Sequence, residues 1–286
     1  MAWGSTRSTS RVVDCLVRRL TVEWHRQRLD VSSVALLIVV IVAALGLVPS
    51  LDALPDRGVP STVELAPTRQ DVPARATVIS RGPTSPPVVT LTFDAGADRG
   101  EVELILDVLA QEGVRASFGL TGQWARANPD AAARVVRDGH TLFNHSDTHA
   151  SFTGVSYGRR LTSAERTAEI ELAEQTLAEI AGAATRPYFR PPFGDYDTAL
   201  LDLLPTLGYT GNLMWTIDTL GWRGLNPSAI VSRALAQASP GAIYVMHVGG
   251  RSADGRALRP LIAGLRDLGY GFAALPELLA RPEAPE

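Results

Sequence analysis

One cysteine, Cys15, occurs in the 286 residues of the chain. A disulfide framework and a cysteine-ligated metal cluster are therefore both excluded. Surplus charge is missing too: 27 Lys and Arg stand against 30 Asp and Glu, a formal net charge of -3. Such a balance gives no field to concentrate a polyanion, which removes nucleic acid as a partner. Aromatic residues are sparse, with Trp 5 in all, so each tryptophan near a site counts as either core or substrate wall. What remains is length enough for one substantial core plus attachments.

Charge is also absent from residues 31–48, VSSVALLIVVIVAALGLV, an 18-residue run. About that many apolar residues are the minimum to cross a hydrocarbon layer as a helix. A buried core helix or a removed signal peptide are the competing readings. The long polar lead and the lack of a small-x-small cleavage site favour a transmembrane helix. Arg7, Arg11, Arg18, Arg19, Arg26 and Arg28 against Asp14, Glu23 and Asp30 predict a cytoplasmic basic segment over 1–30. The expected localisation is then the cell membrane, single-pass, with everything beyond Val48 extracytoplasmic. Residues 49–87 carry Pro49, Pro55, Pro60, Pro67, Pro73, Pro83, Pro86 and Pro87, which deny the segment helix continuity and central-strand pairing. It reads as a Pro-rich linker in which 74–80 could add an edge strand.

From Val88 the pattern changes. VVTLTF (88–93) is a β-branched apolar run, and Val102, Ile105, Leu106 and Leu109 follow at helical spacing. Strand 116–122, helix 129–137 and strand 140–145 repeat the beat. Thr162 with Glu165 fits a capping box that opens a long helix ending near Gly182. Further strands are expected at 188–190, 211–215, 242–246 and 271–273, and a helix at 259–268. Strand-helix alternation argues a mostly parallel α/β domain over 88–280, a barrel or an open sheet, with functional residues at the C-terminal strand ends. Asp94, His145, Arg190, Asp218 and His247 fall there.

His145 and His149, in H-S-D-T-H after an apolar strand, can converge as a metal pair. Alone this spacing is weak, since two polar loop histidines have it too. Asp94, followed by Ala95 and Gly96, adds a carboxylate at a neighbouring strand end, where a glycine leaves room for close approach. Taken in order, T-F-D-A-G (92–96), H-S-D-T-H (145–149), R-P-P-F-G (190–194), D-T-L-G-W (218–222) and V-M-H (245–247) resemble the five motifs of the NodB-type polysaccharide deacetylases, carbohydrate esterase family 4. The resemblance covers about residues 88–275. It implies a distorted (β/α) barrel of about seven strands, here preceded by the transmembrane helix, and one divalent metal ion, with Zn2+ expected.

The resemblance also implies roles. Asp94 matches the catalytic base, His145 and His149 the histidine metal ligands, Arg190 the residue that holds Asp94, and His247 the acid. Asp218 matches the residue that orients His247, and Phe193 the backbone N–H donor to the oxyanion. Trp222 and Val245 match the pocket wall, while Trp215 or Tyr196 could stack under a sugar ring. Two positions depart from the family pattern. Ala95 stands where a third, carboxylate metal ligand is usual, and Asp98 is the expected substitute, with Asp147 the second choice. A plain helix-capping role for Asp98 is the alternative. Gly221 stands where an aspartate often precedes the tryptophan, which could widen the groove.

The function expected is hydrolytic, metal-dependent deacetylation of N-acetylated sugars in a polysaccharide, with peptidoglycan the expected partner. An O-acetyl esterase on xylan or another glycan is the alternative within the family. A glycan-binding domain without catalysis is the alternative outside it, and Ala95 is its one argument.

Overall fold

The computed structural model describes residues 73–96 and 98–282. Its centre is β2 (Val88–Ala95), buried at every position. Such continuous burial demands the unbroken apolar and β-branched run found there, because strands covered on both faces have no solvent side to make polar. β2 pairs in parallel with β3 (Ser117–Leu120) on one edge and β8 (Ile243–His247) on the other, while β9 (Gly271–Phe272) pairs at its foot. β4 (Thr141–Asn144), β5 (Tyr188–Phe189), β6 (Gly211–Leu213) and β1 (Thr77–Ile79) continue beyond β3, and β7 (Ile217–Asp218) lies outside β8. Every pairing between these strands is parallel.

The sheet curls but its end strands β1 and β7 do not pair, so it is a distorted half-barrel of nine strands rather than the expected barrel of about seven. Closure needs edge strands long enough to carry a ladder. β1 and β7 have three and two residues, and part of the gap is spanned by an isolated antiparallel bridge, Arg81 to Ala242, and by the Thr216 hydroxyl donating to the carbonyl of Ser80. β1 is the edge strand anticipated within 74–80.

Helices cover the outside: α1 (Val102–Glu112), α2 (Gly122–Ala127), α3 (Pro129–Arg137), α4 (Ser163–Ala181), α5 (Thr198–Leu203), α6 (Pro227–Ala236), α7 (Asp254–Asp267) and α8 (Leu275–Leu279). Alternation along β2 sorts its side chains. Val89, Leu91, Phe93 and Ala95 join the main core with Ile105 and Leu109 of α1 and Leu258, Leu261 and Leu265 of α7. Val88 instead packs with Phe143, Leu213, Ile243 and Leu278 of α8. Thr92 and Asp94, alternating with the core residues, both receive the Arg190 guanidinium. The capping box of α4 forms as the sequence predicts, with Thr162 and Glu165 satisfying each other's backbone N–H groups.

The membrane expectation is corrected here. The predicted spanning helix, 31–48, lies outside the described residues, as do the basic segment 1–30 and most of the linker. Among the described residues no helix is long and apolar enough to cross a membrane. Even the longest, α4, carries Glu165, Arg166, Glu169, Glu171, Glu174 and Glu179, charges that a hydrocarbon layer would have to desolvate. The described residues thus form a curled parallel half-barrel with no transmembrane helix among them, and the single-pass membrane topology and membrane partner expected from the sequence are not supported.

Candidate active site

Parallel pairing brings the C-terminal strand ends together. Asp94 at the end of β2 is in register with His247 at the end of β8, and Asn144, just before His145, is in register with Phe189, just before Arg190. Asp94, His145, His149, Phe193, Trp215, Asp218, Trp222, Val245 and His247 all line one cavity of about 460 Å³.

Arg190 is fully buried and donates through Nη1 to Asp94 Oδ1 at 2.8 Å and to Thr92 Oγ1 at 2.9 Å. Its Nη2 reaches the carbonyl of Met214, and its guanidinium lies 4.7 Å from the Phe143 ring centroid. Burial pushes the Asp94 carboxyl upward, but Arg190, His145 and His247 outweigh it and hold the group below the usual carboxylate range. Asp94 is therefore ionised at neutral pH, with Oδ2 3.8 Å from His145 Nε2.

His145 Nδ1 lies 2.8 Å from the carbonyl oxygen of Arg190 and must donate to it. That fixes the tautomer and leaves the Nε2 lone pair on the side of Asp94. Burial lowers the pKa of His145 and pushes that of His149 down to about 3, so both rings are neutral, the form in which imidazole binds a metal. Their centroids are 4.9 Å apart. The loop that carries them is held in an uncommon shape: Ser146 and His149 have φ of 67° and 64°. Asn144 Oδ1 accepts from Ser146 N, Ser146 Oγ accepts from His149 N, and Glu169 accepts from the N–H groups of Asp147 and Thr148. Gly96 is needed beside it, since a Cβ there would lie 2.6 Å from the His149 ring.

The third ligand is a different matter. Ala95 is 1% exposed and belongs to the apolar core. Asp98, expected to substitute, is exposed, and its Oδ1 accepts the backbone N–H of Gly250 at 2.7 Å. It lines an adjoining hollow with His149 but does not join the two histidines as a ligand set. Asp147 is turned away into a two-bond pair with Arg126. Among the described residues no group of three His, Cys, Asp or Glu side chains is placed to hold a metal ion. The donors that remain are the two neutral imidazoles, with Nε2 of His145 not hydrogen-bonded, one fewer than the three protein ligands of an ordinary catalytic zinc site.

On the opposite wall, burial lowers the pKa of His247, but Asp254, Asp94 and Asp218 together carry it above the ordinary imidazole value. Asp218, expected to orient His247, lines the cavity with it and adds its charge to that effect. Its Oδ1 accepts from Leu220 N at 2.8 Å and its Oδ2 from Trp222 Nε1 at 3.2 Å, so it holds the turn and the indole. The carboxylate nearest His247 is that of Asp254, with Oδ2 3.8 Å from Nδ1. No motif marks Asp254 in the sequence. Phe193 has φ of 62°, and its ring meets that of His149 edge-on at 4.7 Å. Tyr196, expected as a sugar platform, is exposed but does not line the cavity, whereas Trp215 and Ser156 do.

Known proteins resemble the chain in sequence and in fold. The sequence profile of the family described as polysaccharide deacetylase matches residues 81–211. YlxY of Bacillus subtilis, an uncharacterized protein, is 30% identical over 202 residues, 70% of this chain, and the chain spans 60% of that protein's length. The peptidoglycan-N-acetylglucosamine deacetylase of Bacillus cereus is 31% identical over 205 residues, covering 69% of this chain and 70% of the relative. Among solved structures, a wild-type carbohydrate esterase family 4 pseudoenzyme from Bacillus anthracis has a TM-score of 0.66 and 26% identity, over 73% of this chain and 70% of its own. A mutant of it with restored enzymatic activity matches with the same TM-score of 0.66. With its motifs converging on one cavity and relatives of this kind, the chain belongs to the polysaccharide deacetylases of carbohydrate esterase family 4, and its class is that of a hydrolase.

Proposed function

We propose that this chain hydrolyses the N-acetyl group of sugars in a polysaccharide, releasing acetate and leaving a free amine, with peptidoglycan as the substrate. The observation that carries the reading is the pairing, across one cavity, of an ionised Asp94 fixed by Arg190 with a His247 whose charged form is favoured. An acid and a base with pKa values pushed apart on either side of a cleft suit amide hydrolysis. The names of relatives that act on peptidoglycan support the choice of polymer.

Asp94 takes a proton from the attacking water through the oxygen that Arg190 leaves free. The water oxygen bonds to the acetyl carbon, and the backbone N–H of Phe193 stabilises the negative charge that gathers on the carbonyl oxygen. The carbon–nitrogen bond then breaks as His247 gives its proton to the departing nitrogen. Trp222 and Val245 enclose the acetyl methyl group, and Trp215 provides an apolar wall for the sugar. A divalent ion between His145 and His149, zinc being the one expected, would supply Lewis-acid polarisation of the acetyl carbonyl.

The test is acetate release from peptidoglycan and from N-acetylglucosamine oligomers by the purified chain, with zinc added and after chelation. Acetate and new amine in equal amounts support the proposal. Binding of either glycan without acetate, with zinc present, would instead support a glycan-binding domain, the reading favoured by the methyl group at Ala95.

A further inference from the structure

His247 ends β8 with its ring partly covered and its Nδ1 buried without a hydrogen-bond partner. The carboxylate that faces this nitrogen belongs to Asp254, the first residue of α7, which is completely buried. Asp254 Oδ2 accepts the backbone N–H of His247 at 2.8 Å and the Ser252 hydroxyl at 2.7 Å, and stands 3.8 Å from His247 Nδ1. Its other oxygen, Oδ1, is buried and without a partner. A carboxylate sunk this far without a basic side chain against it needs compensation, and a nitrogen of His247 is the nearest cationic candidate.

The space that Asp254 fills is informative. A Cβ at Gly221 would lie 2.6 Å from both Cγ and Oδ1 of Asp254 and 2.5 Å from Ser252 Oγ. The carboxylate thus rests directly on the α-carbon of the position where the family pattern carries an aspartate. Without a Cβ, Gly221 leaves room for an acid that arrives from another element. Asp218 has its own partners, accepting from Leu220 N through Oδ1 and from Trp222 Nε1 through Oδ2.

We propose that Asp254 is the positioning residue of His247: it seats in the place vacated at Gly221, fixes the Nδ1–H tautomer and so turns Nε2 toward the substrate. The contribution to rate rests on the deacetylase reading above, while the contact itself does not. An orienting carboxylate of this kind acts through the imidazole, so its loss lowers turnover more than substrate affinity.

The experiment combines nitrogen-15 NMR of histidine-labelled protein with deacetylation kinetics on N-acetylglucosamine oligomers. In the wild-type chain at neutral pH, His247 should carry a proton on Nδ1, in the charged imidazolium as in the neutral ring, and Asp254→Asn should move the His247 ring signals. The same substitution should lower kcat by at least about tenfold with KM changed less than about twofold. Gly221→Asp alone should lose activity by collision, and the exchanged pair Asp254→Gly with Gly221→Asp should regain most of the rate lost in Asp254→Gly. A wild-type His247 that carries its proton only on Nε2, or ring signals unmoved in Asp254→Asn, overturns the proposal. If Asp254→Asn does not fold, the wild-type tautomer and the exchanged pair decide it. If the wild-type chain releases no acetate, the deacetylase reading fails, and the NMR result still decides whether Asp254 holds His247.

Discussion

The two walls of the cavity depart from the family pattern in the same way and are resolved in opposite ways. On the β2–β4 wall a carboxylate position holds Ala95, and on the β7–β8 wall another holds Gly221. At Gly221 the vacancy lies against the start of α7, where a backbone N–H and a serine hydroxyl can hold an incoming acid, and Asp254 occupies it. At Ala95 the methyl group lies in the apolar layer under the helices, where an incoming carboxylate would lose its hydration without a donor to replace it. The nearby acids Asp98 and Asp147 are held elsewhere, by Gly250 N and by Arg126. A missing side chain is replaced from elsewhere only where the surrounding backbone can satisfy the newcomer.

Arg190 stands under both walls, and its removal should have the largest effect. Arg190→Met leaves Asp94 buried and unpaired, and breaking a buried pair in this way costs about 3–5 kcal/mol. Urea unfolding should show that loss, and a midpoint unchanged from wild type would mean that the pair does not support the fold. His145→Ala probes the β4 side alone. Zinc titration by calorimetry should lose its binding isotherm and acetate release should fall to background, while circular dichroism keeps the wild-type spectrum; retained zinc affinity would remove the two histidines as ligands.

Acid should separate the buried histidines from His247 on the other wall. His140, buried on the chain just before β4, accepts the backbone N–H of Ala116 on Nδ1, and burial pushes its pKa down to about 4. The unfolded chain takes up that proton near the ordinary value of 6.5. Its contribution to stability is therefore complete above about pH 6.5 and is lost as the pH falls toward about 4. His140→Gln should flatten this part of the pH–stability curve, measured by thermal melting; an unchanged slope would mean that other groups set it. The smallest effect is expected at Asp98. With its carboxylate on Gly250, Asp98→Asn should leave zinc affinity within about twofold of wild type, and a tenfold loss, the lower end for a supporting ligand, would return it to the metal site.

Much of the fold could be read along the chain. The apolar run at 88–93, the helical spacing after Val102 and the capping box at Thr162 depend on local periodicity and local hydrogen bonds, and β2, α1 and α4 follow them. The two-residue β7 has no period to detect, and α5 has only six residues. Barrel closure failed for a similar reason: edge length and curl are properties of the assembled sheet. The site divides along the same line. Asp94, His145, His149, Arg190, Phe193, Trp222, Val245 and His247 were legible because motifs at strand ends must meet when strands run parallel. Tyr196, singled out beside the same motif, stands exposed outside the cavity lining, a position that an aromatic's place in the sequence does not specify.

By itself the sequence determined the alternation of strand and helix, the residues at the strand ends and the family they resemble, all carried by short-range pattern. Only the tertiary structure decided that the half-barrel stays open, that Asp98 serves a backbone amide and that Asp254 stands beside His247 Nδ1. Those outcomes depend on which groups remote in the chain are pressed together out of water, where each buried charge must find its nearest donor.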